Sequence, residues 1–300
     1  MNIAMRFLII SFLSLTFVLL INAMAKNKNP EPKNVAENYN IKAVKLPKGI
    51  NLAGEYIPVN KPDIKERMDR ELLVNTYWQS NTLLLIKRAH KYFPIIEPLL
   101  KKYQLPDDFK YLALAESGLM NVSSYAGAVG FWQFLKGTAR QYGLEVNANV
   151  DERYHLEKST QTAAKYLKHL KKKYGTWCLA AAAYNAGEGR ISQRLKEQQA
   201  TTYFDLYLNE ETYRYVFRIL ALKEIISKPA KYGFVFEQND LYTHTKTYEV
   251  AVDTAIANIA NFAKQFKVSY KELKLVNPWL KQTKLNNKSR KQYYIKIPIK

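Results

Sequence analysis

A single cysteine, Cys178, stands among 300 residues, so the chain can form neither an internal disulfide nor a cysteine metal cluster. Histidine is nearly as scarce. His90, His155, His169 and His244 include no pair at HExxH spacing, so no metal site and no cofactor are expected. Acidic residues are few: 26 Asp and Glu stand against 46 Lys and Arg, a formal net charge of +20. Such an excess implies an anionic partner, whether nucleic acid, a membrane surface or an acidic polymer.

The N-terminus narrows that choice. Arg6 precedes an apolar run from Phe7 to Ile21, and Ala23-Met24-Ala25 is a small-x-small cleavage pattern. Residues 1–25 are therefore expected to be a secretory signal peptide, with an uncleaved membrane anchor as the alternative. No cysteine follows the run, so a lipid-modified N-terminus is not supported. An exported chain in the periplasm or cell envelope meets cell-wall polymer rather than nucleic acid.

Residues 26–62 are rich in Asn, Lys and Pro and are expected to be a linker or N-terminal arm. From Asp63 the apolar residues recur at three and four, as in helices, with Pro94 and Pro106 expected to punctuate them. The spacing predicts one all-helical domain over 63–228. After a second linker, 229–242, the strand-like "THTKTYEVA" and "QYYIKIPI" bracket two short helical patterns. Residues 243–300 are thus expected to form a small β-α-α-β unit, and the fold class is mainly α.

The chemistry centres on "YLALAESGLMNVSSYAGAVGFWQF", Tyr111 to Phe134, whose one carboxylate is Glu116. On a helix from Asp108 to Ser117, Phe109, Leu112, Ala113 and Glu116 share the apolar face. Desolvation there raises a carboxyl pKa, which suits a general acid. A buried Glu neutralised by a structural Arg or Lys is the other reading of helix position alone. The loop that follows has two close glycines, Gly127 and Gly130. Trp132 offers a flat surface of the kind that stacks on sugar rings, and Gln133 offers both a donor and an acceptor. Phe131, Trp132 and Phe134 can equally be core. Gly187-x-Gly189 is no phosphate loop, lacking a preceding strand and a following Lys-Ser/Thr. Glu211 reads as a helix cap, and Tyr213 as core.

Four segments in order then carry a resemblance: Glu116-Ser117, Gly130 to Phe134, "AAYNAG" at Ala182 to Gly187, and Glu211-Thr212 with Tyr215-Val216. Together they resemble the signatures of the soluble-lytic-transglycosylase family. "LPDDFKYLALAES" and "GTARQYGL" are similar to its membrane-bound lytic murein transglycosylase D type. The resemblance covers roughly 65–228. It implies a lysozyme-like helical catalytic domain acting on peptidoglycan glycan strands, with Glu116 as catalytic acid/base. Ser124, with Ser123 as its alternative, and Gln133, Tyr184, Asn185 and Tyr215 match the family's substrate-binding positions. Glycosidases use two carboxylates as a rule. In a lytic transglycosylase one Glu suffices, and the C6 hydroxyl of N-acetylmuramic acid replaces water. A hydrolase of the same fold would need a second carboxylate, for which Asp151 is a distant candidate; an inactive wall-binding scaffold is the rival from another class. The C-terminal unit resembles a LysM module, with Val252-Asp253-Thr254 where Gly-Asp-Thr is usual and no later "KPG" turn. Its lysines Lys264, Lys267, Lys271 and Lys274 are expected to form a solvated face.

Overall fold

The computed structural model describes residues 41–299. The expected signal peptide lies outside them. Among the described residues no helix is long and apolar enough to cross a membrane.

Two two-residue strands, β1 (Asn51–Leu52) and β2 (Glu55–Tyr56), pair as a tight hairpin ahead of the helices. The helical part comprises α1 (Pro62–Tyr77), α2 (Gln79–Lys102), α3 (Lys110–Ser117), α4 (Lys136–Gln141), α5 (Leu156–Tyr174), α6 (Trp177–Ala186), α7 (Glu188–Glu197) and α8 (Glu210–Ser227). One continuous apolar core runs through it, including Ile64, Met68, Leu112, Ala113, Leu167, Phe217 and Leu220. Helix α6 is buried on nearly every side. Its alanines, Ala180 to Ala183, let neighbouring helices approach closely, and the Thr176 hydroxyl caps its start by accepting from Leu179 N at 3.3 Å.

One expectation about the helices needs correction. Pro94 does not end a helix; α2 passes through both Pro94 and Pro98. The prolines sit four residues apart on the exposed side, where the carbonyls they leave unpaired meet water. Phe93, Ile96 and Leu100 on the opposite side are buried, and that burial holds the helix together. Pro106, by contrast, does punctuate the chain, standing just before the 3-10 turn Asp107–Phe109 that leads into α3.

Nor are the two stretches read as linkers detached. Ile50, Leu52 and Ile57 enter the core, as do Tyr232 and Phe234 further on. Glu55 in β2 accepts from the Trp177 and Cys178 amides at the start of α6 and pairs with Lys171 at 2.5 Å. A carboxylate at a helix N-terminus satisfies donors that have no partner within the helix. Short apolar residues scattered among Asn, Lys and Pro leave no periodic trace, so these contacts were not visible in the pattern.

The C-terminal unit has the expected order β3 (Thr247–Val252), α9 (Ile259–Gln265), α10 (Tyr270–Val276), β4 (Tyr293–Pro298). The strands pair antiparallel, Thr247 opposite Pro298 and Val252 opposite Tyr293. Ser269 and Glu272 form a reciprocal capping box at α10. Ile259, Leu273, Trp279, Ile295 and Ile297 make a second core, which Val150 of the helical part joins.

The two cores are tied by the segment between α4 and α5. Asp151 N donates to Trp279 O at 2.9 Å and Lys281 N to Asn149 O at 2.8 Å. Lys291 pairs with Glu145 at 2.6 Å, and Lys296 pairs with Glu157. Within the C-terminal unit the fully buried Asn277 amide bridges α10 and β4. It donates to Leu273 O and Lys296 O and accepts from Lys296 N. Replacing it by alanine removes the side-chain partner of both Lys296 N and Lys296 O, while Leu273 O keeps its bond from Asn277 N. Asn277→Ala is expected to lower stability by about 2–3 kcal/mol in urea unfolding.

Candidate functional site

The site is built where α3, α6 and α8 meet. Helix α3 and the turn before it bury Phe109, Leu112 and Ala113, and that periodicity carries Glu116 toward the same interior. Gly118 ends the helix in a left-handed conformation, φ 58°. On α8, Tyr215 is buried and its phenol donates to Glu116 Oε1. Burial pushes the Glu116 carboxyl up to about 7. The Tyr215 hydrogen bond and the charge of Arg218 oppose the rise, and the charge of Glu211 adds to it. Burial and the neighbouring Glu116 charge hold both the Tyr215 and Tyr184 phenols well above their ordinary range, so both remain donors.

The other residues singled out from sequence divide into two groups. Tyr184, near the end of α6, donates to Trp132 O at 2.7 Å and so fastens the glycine loop to the site. Asn185 accepts from the buried Thr212 hydroxyl at 2.9 Å and donates to Glu211 at 3.3 Å, joining α6 to the first turn of α8. Gln133 adopts φ 46° and turns its side-chain amide inward, donating to Gly130 O at 2.7 Å and Val122 O at 3.1 Å. Ser124 stands apart. It is exposed, its hydroxyl accepts from Ala128 N at 3.0 Å across the Tyr125–Gly127 turn, and among the described residues no hydrogen bond joins it to Glu116. Ser123 is exposed too, 3.3 Å from the Tyr154 hydroxyl.

Three readings are overturned or decided by packing. Trp132 is no sugar platform: it is fully buried, its indole donating to Thr160 Oγ1 at 2.9 Å. Phe131 and Phe134 are core. Asp151 supplies no second acid to Glu116. It is buried in a two-pronged pair with Arg153, whose Nε and Nη2 lie 3.0 and 2.8 Å from its oxygens. Glu211 lies in the first turn of α8, next to Glu210, but does not cap the helix as read from sequence: the cap position is Asn209.

Arg153 and Ser117 were missed by sequence reasoning. Arg153 Nη1 donates to Gly127 O at 3.0 Å and Phe134 O at 3.1 Å, holding both ends of the glycine loop. Its own carbonyl lies 2.2 Å from where a side-chain carbon on Gly130 would stand, so only glycine fits there. Ser117 donates to Phe131 O at 2.9 Å, locking the loop to the residue after Glu116. Arg218 had a faint signal, standing three residues after Tyr215 and so on the same helical face. Nothing in the sequence marked Arg153.

Residues 93–206 match the family model of the transglycosylase SLT domain, and residues 248–300 that of the soluble lytic transglycosylase C-terminal LysM-like domain. The chain therefore carries a transglycosylase SLT domain followed by a LysM-like domain. It is 30% identical over 243 residues to the membrane-bound lytic murein transglycosylase D of Escherichia coli strain K12, a match that takes in 79% of this chain and 52% of that protein. The chain thus spans about half the length of the curated relatives it matches first. Among solved structures, it is similar to an inactive mutant of the lytic transglycosylase Slt from Pseudomonas aeruginosa, at 23% identity and a TM-score of 0.39 over 51% of this chain and 26% of that one. For the 70 kDa soluble lytic transglycosylase from Escherichia coli the values are 16% and 0.41, over 64% and 39%.

The raised Glu116 pKa has a stability consequence. The folded state holds this proton up to about pH 7, while the unfolded chain releases it near 4.5. Between those values the folded state binds more protons, so stability falls as pH rises, and above 7 the whole penalty is present. Glu116→Gln removes the penalty. The variant is expected to be more stable than the unaltered protein by on the order of 1–3 kcal/mol at pH 8 and by little at pH 4, measured by urea unfolding at both.

Proposed function

We propose that the chain is an exported peptidoglycan lytic transglycosylase. The observation that carries this reading is the state of Glu116: a desolvated carboxyl aligned by the Tyr215 phenol, its pKa pushed up to about 7. A group so poised gives up and takes back a proton at neutral pH. Protonated Glu116 delivers its proton to the glycosidic oxygen between N-acetylmuramic acid and N-acetylglucosamine as the C1–O bond breaks. The substrate's N-acetyl group stabilises the charge at C1. Glu116, now a carboxylate, takes the proton of the C6 hydroxyl as that oxygen closes on C1, leaving a 1,6-anhydromuramyl end. No water is consumed and Glu116 returns to its starting state.

Tyr215 and Tyr184 hold the acid and the loop beside it, Asn185 and Gln133 shape the surroundings, and Ser124 contributes from the loop's outer turn. Residues 63–228 carry the chemistry, and residues 243–300 keep the chain against the glycan. Residues 1–25 direct export to the periplasm. Lys264, Lys267 and Lys271 are exposed on the C-terminal unit and suit an acidic wall polymer. The muramidase reading, which needs a second acid, is disfavoured by the ties on the two candidates: the distant Asp151 is committed to Arg153, and Glu211, whose charge acts on Glu116, accepts from Asn185.

Digestion of purified peptidoglycan, followed by mass spectrometry, tests the proposal. Products one water lighter than reducing muropeptides are expected, at a rate that declines as pH rises through about 7, where Glu116 loses its proton. Glu116→Gln is expected to lower the rate at least about a thousandfold. Reducing ends would establish a hydrolase instead. Wall binding without products would leave a scaffold.

A further inference from the structure

The segment from Glu145 to His155 has a neighbour on each side. On one side lies the C-terminal unit. Besides the backbone bonds to Trp279 and Lys281, Asn286 N donates to Asn149 Oδ1 at 2.6 Å. Tyr293 Oη donates to the Glu145 carboxylate, 3.1 and 3.0 Å from its two oxygens, beside the Lys291 pair. The Trp279 ring stacks on His155 with centroids 5.8 Å apart, and Lys281 Nζ stands 3.8 Å over the Tyr154 ring. On the other side the same segment grips the glycine loop. Asp151 occupies the Nε and Nη2 edge of the Arg153 guanidinium, which leaves Nη1 to hold Gly127 O and Phe134 O. Tyr154 Oη lies 3.3 Å from Ser123 Oγ.

These contacts form a path to the acid. The loop that Arg153 holds at Phe134 is held at Phe131 by Ser117, and Ser117 follows Glu116 in the chain. Asn121 to Gly127 are exposed, so hydrogen bonds rather than core packing fix that part of the loop. The guanidinium itself has little freedom. It is buried, and turning it away from Asp151 would leave two desolvated charges unpaired. Its aim therefore follows the backbone of Asp151, and the C-terminal unit holds that backbone through Trp279 O.

We propose that Arg153 is a positioning residue for Glu116, acting through the glycine loop, and that the C-terminal unit belongs to this device because it holds the segment that aims the guanidinium. The proposal rests on the transglycosylase reading for the reaction it serves. A glycan tether needs only a length of chain between two units, and it acts on the capture of substrate. A positioning device acts on the geometry between bound substrate and acid, and so on kcat.

The test uses the full chain on a short soluble glycan fragment, for which a wall tether gives no advantage. Arg153→Lys keeps a charge beside Asp151 but loses the planar fork that reaches two carbonyls. It is expected to lower kcat about ten- to a hundredfold with KM within about twofold. The double variant Lys291→Gln, Tyr293→Phe loosens the seat on Glu145 without touching the loop or Glu116, and is expected to lower kcat at least about threefold, again at constant KM. Hydrogen exchange reads the loop directly. The amides of Gly127, Val129 and Gly130 donate to Ser124, Phe134 and Val122 carbonyls. In both variants they are expected to exchange at least about tenfold faster, with α5 unchanged. Unchanged loop exchange overturns the coupling. A loosened loop with kcat intact, or a raised KM with kcat intact, overturns the positioning role. If Arg153→Lys does not fold, the double variant decides alone. If the unaltered protein cuts nothing, the transglycosylase reading falls, and loop exchange still decides whether the C-terminal unit controls the loop.

Discussion

Burial of one carboxyl against one phenol organises the helical domain. Glu116 lies where a carboxylate is costly, and the Tyr215 hydroxyl is the group that makes the position tolerable. To bring that pair together, α3 must end where it does, α8 must present Tyr215 inward, and α6 must be slim enough to pass beneath both. The alanine run of α6 answers the last demand. The left-handed Gly118 answers the first, stopping the helix one residue after Ser117. Glu116 keeps its raised pKa because burial outweighs the Tyr215 hydrogen bond and the Arg218 charge that oppose it, while the Glu211 charge adds to the rise.

The glycine loop between Leu119 and Phe134 has only isolated β-bridges of its own, Ser123 with Val129 and Val129 with Phe134, and is held further by others. Ser117 fixes one carbonyl, Tyr184 another, and Arg153 two more. Arg153 belongs to the segment on which the C-terminal unit is seated, with Asp151 N bonded to Trp279 O and the Val150 side chain set in the second core. The LysM-like unit is thus mechanically continuous with the loop beside Glu116, through a buried guanidinium and three residues of chain. A module docked in this way fixes its own orientation relative to the candidate site, unlike one tethered by a flexible linker.

Some of this was legible in the sequence, for identifiable reasons. Helical periodicity put Glu116 on a buried face, because a 3.6-residue repeat leaves one side of a short helix no other place to go. The β-α-α-β order was readable because alternation and helical spacing differ within a few residues. The stacking surface assigned to Trp132 failed because composition reports a ring but not which side of the loop packs. Pro94 failed as a stop because the carbonyls it leaves unpaired happen to face water.

The sequence by itself determined which residues are near in chain: the helix that bears Glu116, its glycine stop, the four motifs in order and the two kinds of unit. The tertiary structure alone decided which distant residues meet. It set Tyr215 on Glu116 across 99 positions, Glu55 on α6 across 122, and Arg153 on Phe134 across 19. The physical reason is range. Backbone periodicity and turn chemistry act over a few residues and leave a pattern. A buried carboxyl, its phenol and a guanidinium between two carbonyls are paired by the avoided cost of desolvated, unpartnered polar groups. That cost exists only once the core has closed around them.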